Sequence, residues 1–360
     1  MPDGPSVVIR MDAGGRLGFG HAIRCLSLAR RLRSERGGNV CFWSRSFPAL
    51  ERMFRKDGFE HTLVPDSTSE GDLLRNLADA HPSAVLVIDS LYDYTAKDIL
   101  QLEDRVHSVM LQNPCDGAFL CDYAFFPSAN VSEEVTGDPR WSSARAKLLY
   151  GPEYVLINED VLSLVRAGIG GISDRIVITT GASDPEGVLL RALRWLNASD
   201  LRMDVLAMPG FDFSHRNELD HLQQDLRPNI QVRDFDLAEL FTSRLAVCAF
   251  GVTTYELVFA GVPVITLGHI RQNDVSARTL EERYGCVRHL GLHSEVAGEA
   301  FLSCVSSMWG CDSAVRRQVL AAQRNLIDGK GMDRLMEIIV RLGTRERKSG
   351  LPLAAGGGLS

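Results

Sequence analysis

At 360 residues the chain is long for one domain and comfortable for two, each able to bury its own core. Apolar residues make up 45% and charged residues 24%, the balance of an ordinary globular protein and not of a disordered one. A net charge of -7 with a pI near 5.8 argues against a general nucleic-acid binder, which needs a basic face, while leaving room for a local phosphate pocket.

No N-terminal segment joins basic residues to a long apolar core, so no signal peptide is expected. No run approaches the roughly 18 apolar residues of a membrane span, and no membrane partner is expected. Eight scattered cysteines contain no CxxC pair, which suits a reducing cytoplasm and speaks against a disulfide frame or a zinc cage. The histidines lie apart at no metal-ligand spacing, so neither a metal nor a cofactor is expected.

Val7–Met11 reads as a strand leading into a glycine loop, from Asp12 through Gly14, Gly15, Gly18 and Gly20 to His21. A helix follows, about Ala22 to Leu32, with arginines toward its end that complement the helix dipole. Strand, glycine loop and helix in this order open the mononucleotide-binding half of doubly wound folds, but the glycine spacing is not GxGxxG, which argues against a dinucleotide. The alternation continues through strands at 39–43, 61–64, 84–89, 106–111, 123–126 and 147–150, with helices at 48–55 and 71–80. The cleanest of these strands, 84–89, delivers Asp89, Ser90, Tyr92 and Asp93 at its carboxyl end, where ligands gather in open parallel sheets. Asp89, Asp184 and Glu153 read as caps or turn formers.

Residues 161–173 are glycine-rich and read as a linker. A second series follows: a strand at 175–180, the loop Gly181 to Pro185, a helix at 186–196, a strand at 203–207, a helix at 215–226, a strand at 230–232 and a short helix at 237–242. Leu245–Ala249 is a near-continuous apolar run, read as a strand buried on both faces. Gly251 permits a close approach, Thr253 and Thr254 stand where they can cap a helix, and Gly261 with Pro263 ends that helix. The strand at 262–267 follows, with His269 just beyond it and helices at 273–284, 296–309, 314–327 and 332–342. The Gly- and Ala-rich stretch 348–360 reads as unfolded. Two α/β domains result, each Rossmann-like, at 1–160 and 161–345 with a tail at 346–360, facing across a cleft that would hold the substrate.

Asp12, Gly18-Phe19-Gly20-His21 and Arg24 together resemble the N-terminal signature of the UDP-sugar hydrolases of pseudaminic acid biosynthesis, which have relatives among spore-coat polysaccharide proteins. Gly151-Pro152-Glu153-Tyr154-Val155-Leu156 is similar to the Gly-Pro-x-Tyr-Ala-Leu segment that ends the first domain in that family. The loop Gly181 to Pro185 and the run Gly251, Thr253, Thr254, Glu256, Gly261, Pro263 resemble its later motifs. Two departures stand out: Arg271-Gln272-Asn273-Asp274 replaces an acidic-Asn-Gln run, and Glu186-Gly187 lacks a polar residue usual after the Asp-Pro turn. The late motif also resembles the UDP-N-acetylglucosamine transferase of cell-wall synthesis. The resemblance implies the glycosyltransferase type B fold and a UDP-sugar substrate whose sugar–oxygen bond water breaks with inversion.

On this reading His21 is the general base, since its ordinary pKa suits proton transfer at neutral pH, and Asp12 orients the imidazole or binds a sugar hydroxyl. The helix beginning near Thr253 faces the diphosphate, with Arg271 as a source of added charge, and Glu256 accepts from a ribose hydroxyl. Gly18, Gly20, Arg24, Tyr92, Gly181, Gly251, Thr253, Thr254 and Asn273 complete the expected substrate contacts, Arg24 either meeting a substrate anion or only pairing with a carboxylate. The alternatives are a glycosyltransferase of the same fold, with an acceptor hydroxyl in place of water, and a non-enzymatic nucleotide-sugar binder.

Overall fold

The computed structural model describes residues 4–14, 18–103, 105–168, 171–310 and 313–344. The first lobe opens with β1 (Ser6–Met11), α1 (Gly20–Arg36), β2 (Asn39–Arg45), α2 (Pro48–Asp57), β3 (Glu60–Val64) and α3 (Glu70–Ala80). It continues with β4 (Val85–Asp89), α4 (Ala96–Leu100), β5 (His107–Leu111), β6 (Tyr123–Phe126), α5 (Glu133–Thr136) and β7 (Lys147–Tyr150). After α6 (Glu159–Arg166), the second lobe runs through β8 (Ser173–Thr179), α7 (Val188–Asn197), β9 (Asp204–Ala207), α8 (Arg216–Gln224), β10 (Ile230–Val232) and α9 (Leu237–Phe241). Then come β11 (Ser243–Ala249), α10 (Val252–Ala260), β12 (Val264–Gly268), α11 (Arg271–Tyr284) and β13 (Arg288–Leu292). The helices α12 (Gly298–Trp309), α13 (Ala314–Gln323) and α14 (Gly331–Gly343) follow.

Two parallel sheets result, as the alternation of strand and helix requires. The first has the order β3-β2-β1-β4-β5-β6-β7 and the second β10-β9-β8-β11-β12-β13. Central strands such as β4, buried at all five residues, can be apolar throughout because helices cover both faces. In each sheet the winding reverses once, between β1 and β4 in the first and between β8 and β11 in the second. Ligands of open α/β sheets bind outside the carboxyl ends of the strands at such a reversal. Met11 pairs with Asp89 across the first reversal, and Cys248 with Thr179 across the second.

Packing divides the chain differently from the expected boundary at 160 and the expected second domain of 161–345. Val155, Ile157, Val161 and Leu162 join a core of the second lobe, whereas Met332, Leu335, Met336, Ile339 and Leu342 of α14 join a core of the first. The apolar face of the last helix therefore returns to the sheet on which the chain began. At the crossing, Gly331 is needed for a close approach, because a methyl carbon there would stand 2.2 Å from the Val155 carbonyl oxygen. The expected linker is largely helical: α6, capped by Asn158, takes in residues 161–166. Residues 169 and 170, like the expected tail, lie outside the described residues. Sequence reading also passed over β13, whose Arg288-His289-Leu290-Gly291-Leu292 is too polar and glycine-broken to show an apolar run, as befits an edge strand.

Candidate active site

The carboxyl end of β1 and the start of α1 carry the first half of the site. His21 falls in the first turn of α1, which begins at Gly20 and not, as expected, at Ala22. Its Nδ1 lies 2.7 Å from Oδ1 of Asp89, the last residue of the neighbouring strand β4. An ionised carboxylate only accepts, so a ring bonded to Asp89 carries its proton on Nδ1 and leaves Nε2 as its basic nitrogen; Arg24 Nη2, a donor only, stands 3.0 Å from the same Nδ1 and makes no hydrogen bond with that tautomer. Arg24, one turn further along the same face of α1, donates from Nε to Asp89 Oδ2 at 2.6 Å and from Nη2 to Oδ1. The Cys25 thiol completes the shell at 3.2 Å from Oδ2. Burial alone would push the Asp89 carboxyl up, but Arg24 and His21 outweigh it and hold the group well below the usual carboxylate range. Asp89 is thus an anion with no solvent exposure, the orienting partner of a histidine that remains 15% exposed.

This corrects the expectation for Asp12 and Asp89 and decides between the two offered for Arg24. Asp12 does not touch the imidazole; its carboxylate accepts from Arg10 Nη2 at 2.6 Å and from the Arg45 backbone N–H at 2.8 Å. Arg10 is itself fully buried and shared with Glu70, so Asp12 closes an ionic network beneath the glycine loop. Asp89, read from sequence as a cap or turn former, takes the orienting role. Arg24 spends its guanidinium on Asp89 and on Gln112, whose Oε1 accepts from Nη1, so it does not reach out to a substrate anion. Gln112, just past β5, was missed; it holds a left-handed φ of 50°, and no local sequence signal marks it.

The rest of the first-lobe set lines the same edge. Gly18 carries φ 68° and closes the loop through the Gly14 N–H, which donates to the Gly18 carbonyl at 2.8 Å. Tyr92, on the loop after β4, is 46% exposed and meets Tyr94 edge-on with ring centres 5.1 Å apart.

The second half of the site gathers at the reversal between β8 and β11. Gly181 follows β8 and Gly251 follows β11, and a methyl carbon placed on either would meet nothing within 4 Å. Gly251 is the N-cap of α10 with no side-chain cap, so the helix start presents its positive end and backbone N–H groups to open space. Thr253 is partly exposed in this first turn. Thr254 is fully buried, and its Oγ1 accepts from the Gly251 N–H at 3.3 Å and meets Cys248 Sγ at 3.4 Å, so it serves as the internal brace of the turn and not as a substrate contact. Asn273 also braces the turn, donating from Nδ2 to the Phe250 carbonyl at 3.2 Å. Arg271 pairs with Glu295 at 2.5 Å on the surface. Asp184, expected as a cap, accepts from the Val188 and Leu189 N–H groups at the start of α7.

Glu256 lies deeper than expected. It is 8% exposed, and burial pushes its carboxyl up to about 7, against the backbone N–H of Asn158, which favours the anion. His269, just past β12, is held below its ordinary pKa by burial.

The two halves meet. A methyl carbon on Gly20, the first residue of α1, would stand 3.5 Å from Cγ2 of Val252, the first residue of α10. The first turns of two helices, one from each lobe, thus lie against each other, and helix N-termini favour an anionic ligand. Phe19 meets Phe211 of the second lobe with ring centres 4.8 Å apart. Farther back, the Tyr255 hydroxyl bonds Ser128 at 2.9 Å and also Asn130, while Asn130 Nδ2 donates to the Ser276 carbonyl at 2.6 Å. No set of His, Cys, Asp or Glu among the described residues could hold a metal ion. No helix among them is long and apolar enough to cross a membrane.

Two parallel α/β lobes with converging helix N-termini define the glycosyltransferase type B fold. MurG of Acinetobacter baumannii superposes with a TM-score of 0.62 at 14% identity, over 94% of this chain and all of that one. The calicheamicin glycosyltransferase CalG4 gives 0.61 at 15%, over 95% and 98%. The UDP-GlcNAc 2-epimerase of Methanocaldococcus jannaschii gives 0.56 at 13%, over 93% and 99%. In sequence, the chain is 23% identical over 350 residues to a spore coat polysaccharide biosynthesis protein of Bacillus subtilis, covering 94% of this chain and 99% of that protein. It is also 23% identical over 272 residues to an uncharacterized protein of Methanocaldococcus jannaschii, covering 72% of this chain but 55% of the relative, so it spans about half of that longer protein. No family model matches.

Proposed function

We propose that this protein is an enzyme that hydrolyses a nucleotide sugar, with a UDP-linked acetamido-deoxy sugar as the substrate class. His21 Nε2 takes a proton from water as the water oxygen bonds to the anomeric carbon. The bond from that carbon to the diphosphate oxygen breaks, and the nucleotide leaves with the electron pair. The leaving charge develops at the N-terminus of α10, where backbone N–H groups and the Thr253 hydroxyl stabilise it. Glu256, beneath that turn, accepts from ribose hydroxyls, and Tyr92 with the Gly18–Gly20 loop borders the sugar.

The observation that carries this reading is the 2.7 Å Asp89–His21 pair on the first turn of a helix that abuts the first turn of α10. It gives a base of fixed tautomer beside a preorganised anion site. The names of the structural neighbours, two of them a glycosyltransferase and a UDP-GlcNAc epimerase, support sugar-nucleotide chemistry. The resemblance of the Gly18-Phe19-Gly20-His21 loop to the hydrolases favours water as the acceptor. Incubation with a panel of nucleotide sugars, with and without acceptor alcohols, tests it: release of nucleotide and free sugar without acceptor is expected. Release only with an acceptor overturns water in favour of transfer, and inversion of the sugar without nucleotide release overturns both.

A further inference from the structure

We infer that Arg24, locked by Gln112, is a positioning residue that fixes the Asp89–His21 pair and neutralises Asp89 so that the imidazole stays a proton acceptor; this rests on the reading of His21 as the base. The geometry is unusually complete. Both oxygens of Asp89 are gripped by one guanidinium, Nε at 2.6 Å on Oδ2 and Nη2 on Oδ1. The third nitrogen, Nη1, is taken by Gln112 Oε1. Gln112 is tied in turn to the sheet, its N–H donating to the Phe125 carbonyl at 3.0 Å, and it adopts the left-handed φ that aims its side chain back at α1.

A carboxylate alone beside a histidine favours the imidazolium, which cannot accept a proton from water. A cation bound to the same carboxylate offsets that pull. Among the described residues, the charged and titratable groups bonded to this pair are Asp89 from β4 and Arg24 and the Cys25 thiol from α1; burial holds that thiol well above its ordinary range, so it stays neutral. Asp89 therefore orients the ring through Nδ1 while Arg24 cancels most of its charge. Gln112 prevents the guanidinium from swinging away along the helix face.

The test follows the His21 ring itself by NMR across a pH series, in the wild-type protein and in Arg24→Gln, Arg24→Lys and Gln112→Asn, with His21→Asn used to assign the resonance. Removing the Arg24 charge leaves Asp89 unopposed, so the midpoint of the His21 titration in Arg24→Gln should move up by about one unit or more. The acidic limb of the kcat/KM profile should move with it. Gln112→Asn keeps a residue that tolerates the left-handed backbone but is too short to reach Arg24. It should lower kcat about tenfold through misplacement, with KM nearly unchanged. Should Arg24→Gln fail to fold, Arg24→Lys and Gln112→Asn decide: kcat restored toward wild type in Arg24→Lys relative to Gln112→Asn means that charge alone suffices and overturns the locking role. An unmoved or lowered titration midpoint in Arg24→Gln overturns the neutralising role. If the ring titration shifts as expected but no nucleotide sugar is cleaved, the hydrolase reading falls and the Arg24 device stands.

Discussion

The two lobes build their halves of the site by opposite means. The first lobe concentrates charged and titratable side chains: Asp89, Arg24 and His21 in one cluster, and Arg10, Asp12, Glu70 and Arg45 in another beside it. The second lobe presents backbone at Gly181 and Gly251, with the Thr254 hydroxyl, Asn273 and the buried Glu256 carboxyl arranged behind. A proton acceptor needs one ring nitrogen in one place and one protonation state, which here fixed side-chain partners impose. A diphosphate carries its own charge and many acceptor oxygens, so N–H groups and space are enough. The contrast is therefore between a site that fixes a proton and a site that receives an anion.

That contrast predicts unequal responses to mutation. The largest effect belongs to the first lobe: His21→Asn should lower turnover on the cleaved nucleotide sugar by about 10²- to 10⁴-fold while circular dichroism remains native. Unchanged turnover would remove the base from the scheme.

Next comes Glu256. Its folded-state pKa of about 7 lies above the ordinary 4.5, so the folded protein binds the extra proton between those values, and the stability it gains below about 4.5 is lost as pH rises through 7. Denaturant unfolding of the ligand-free protein should show a decline of roughly 3 kcal/mol across that window, and Glu256→Gln should flatten it. A wild-type curve that is already flat would mean that the carboxyl is ionised throughout.

In the second lobe, Gly251→Leu adds a side chain where a methyl carbon meets nothing within 4 Å, and the extended backbone there tolerates any residue. Nucleotide affinity by calorimetry should fall about tenfold, roughly 1.4 kcal/mol, with an unaltered melting temperature. Loss of stability without loss of affinity would assign the turn to packing alone. The smallest effect is expected where the lobes are tied together: Tyr255→Phe removes the hydroxyl bonded to Ser128 and Asn130 and should cost about 1 kcal/mol of unfolding free energy. No change in either stability or KM would show that the lobes hold their spacing without it.

The elements that sequence located well are those whose apolar pattern is set locally. The run Leu245–Ala249, the turn at Gly251 and the stop at Gly261 stand in the structure as read, because a doubly buried strand and an αL helix end leave direct marks in residue type. The edge strand β13 left no such mark. Membership of α14 in the first lobe could not be read either, since an amphipathic helix shows that it has an apolar face but not which sheet covers it.

The site divides along the same line. Sequence alone determined that His21 follows a glycine loop at a helix start, and that Gly251 stands in a turn before a second helix, because both are properties of a few adjacent residues; the threonines expected to cap that helix do not, since it starts at Val252 with Gly251 as its N-cap. Only the tertiary structure decided that Asp89, 68 positions from His21, and not the nearby Asp12, holds the ring, and that Arg24 is spent on that carboxylate. The reason is topological: β1 and β4 become neighbours where the winding of the sheet reverses, so partners in space are set by strand order, which no local pattern encodes.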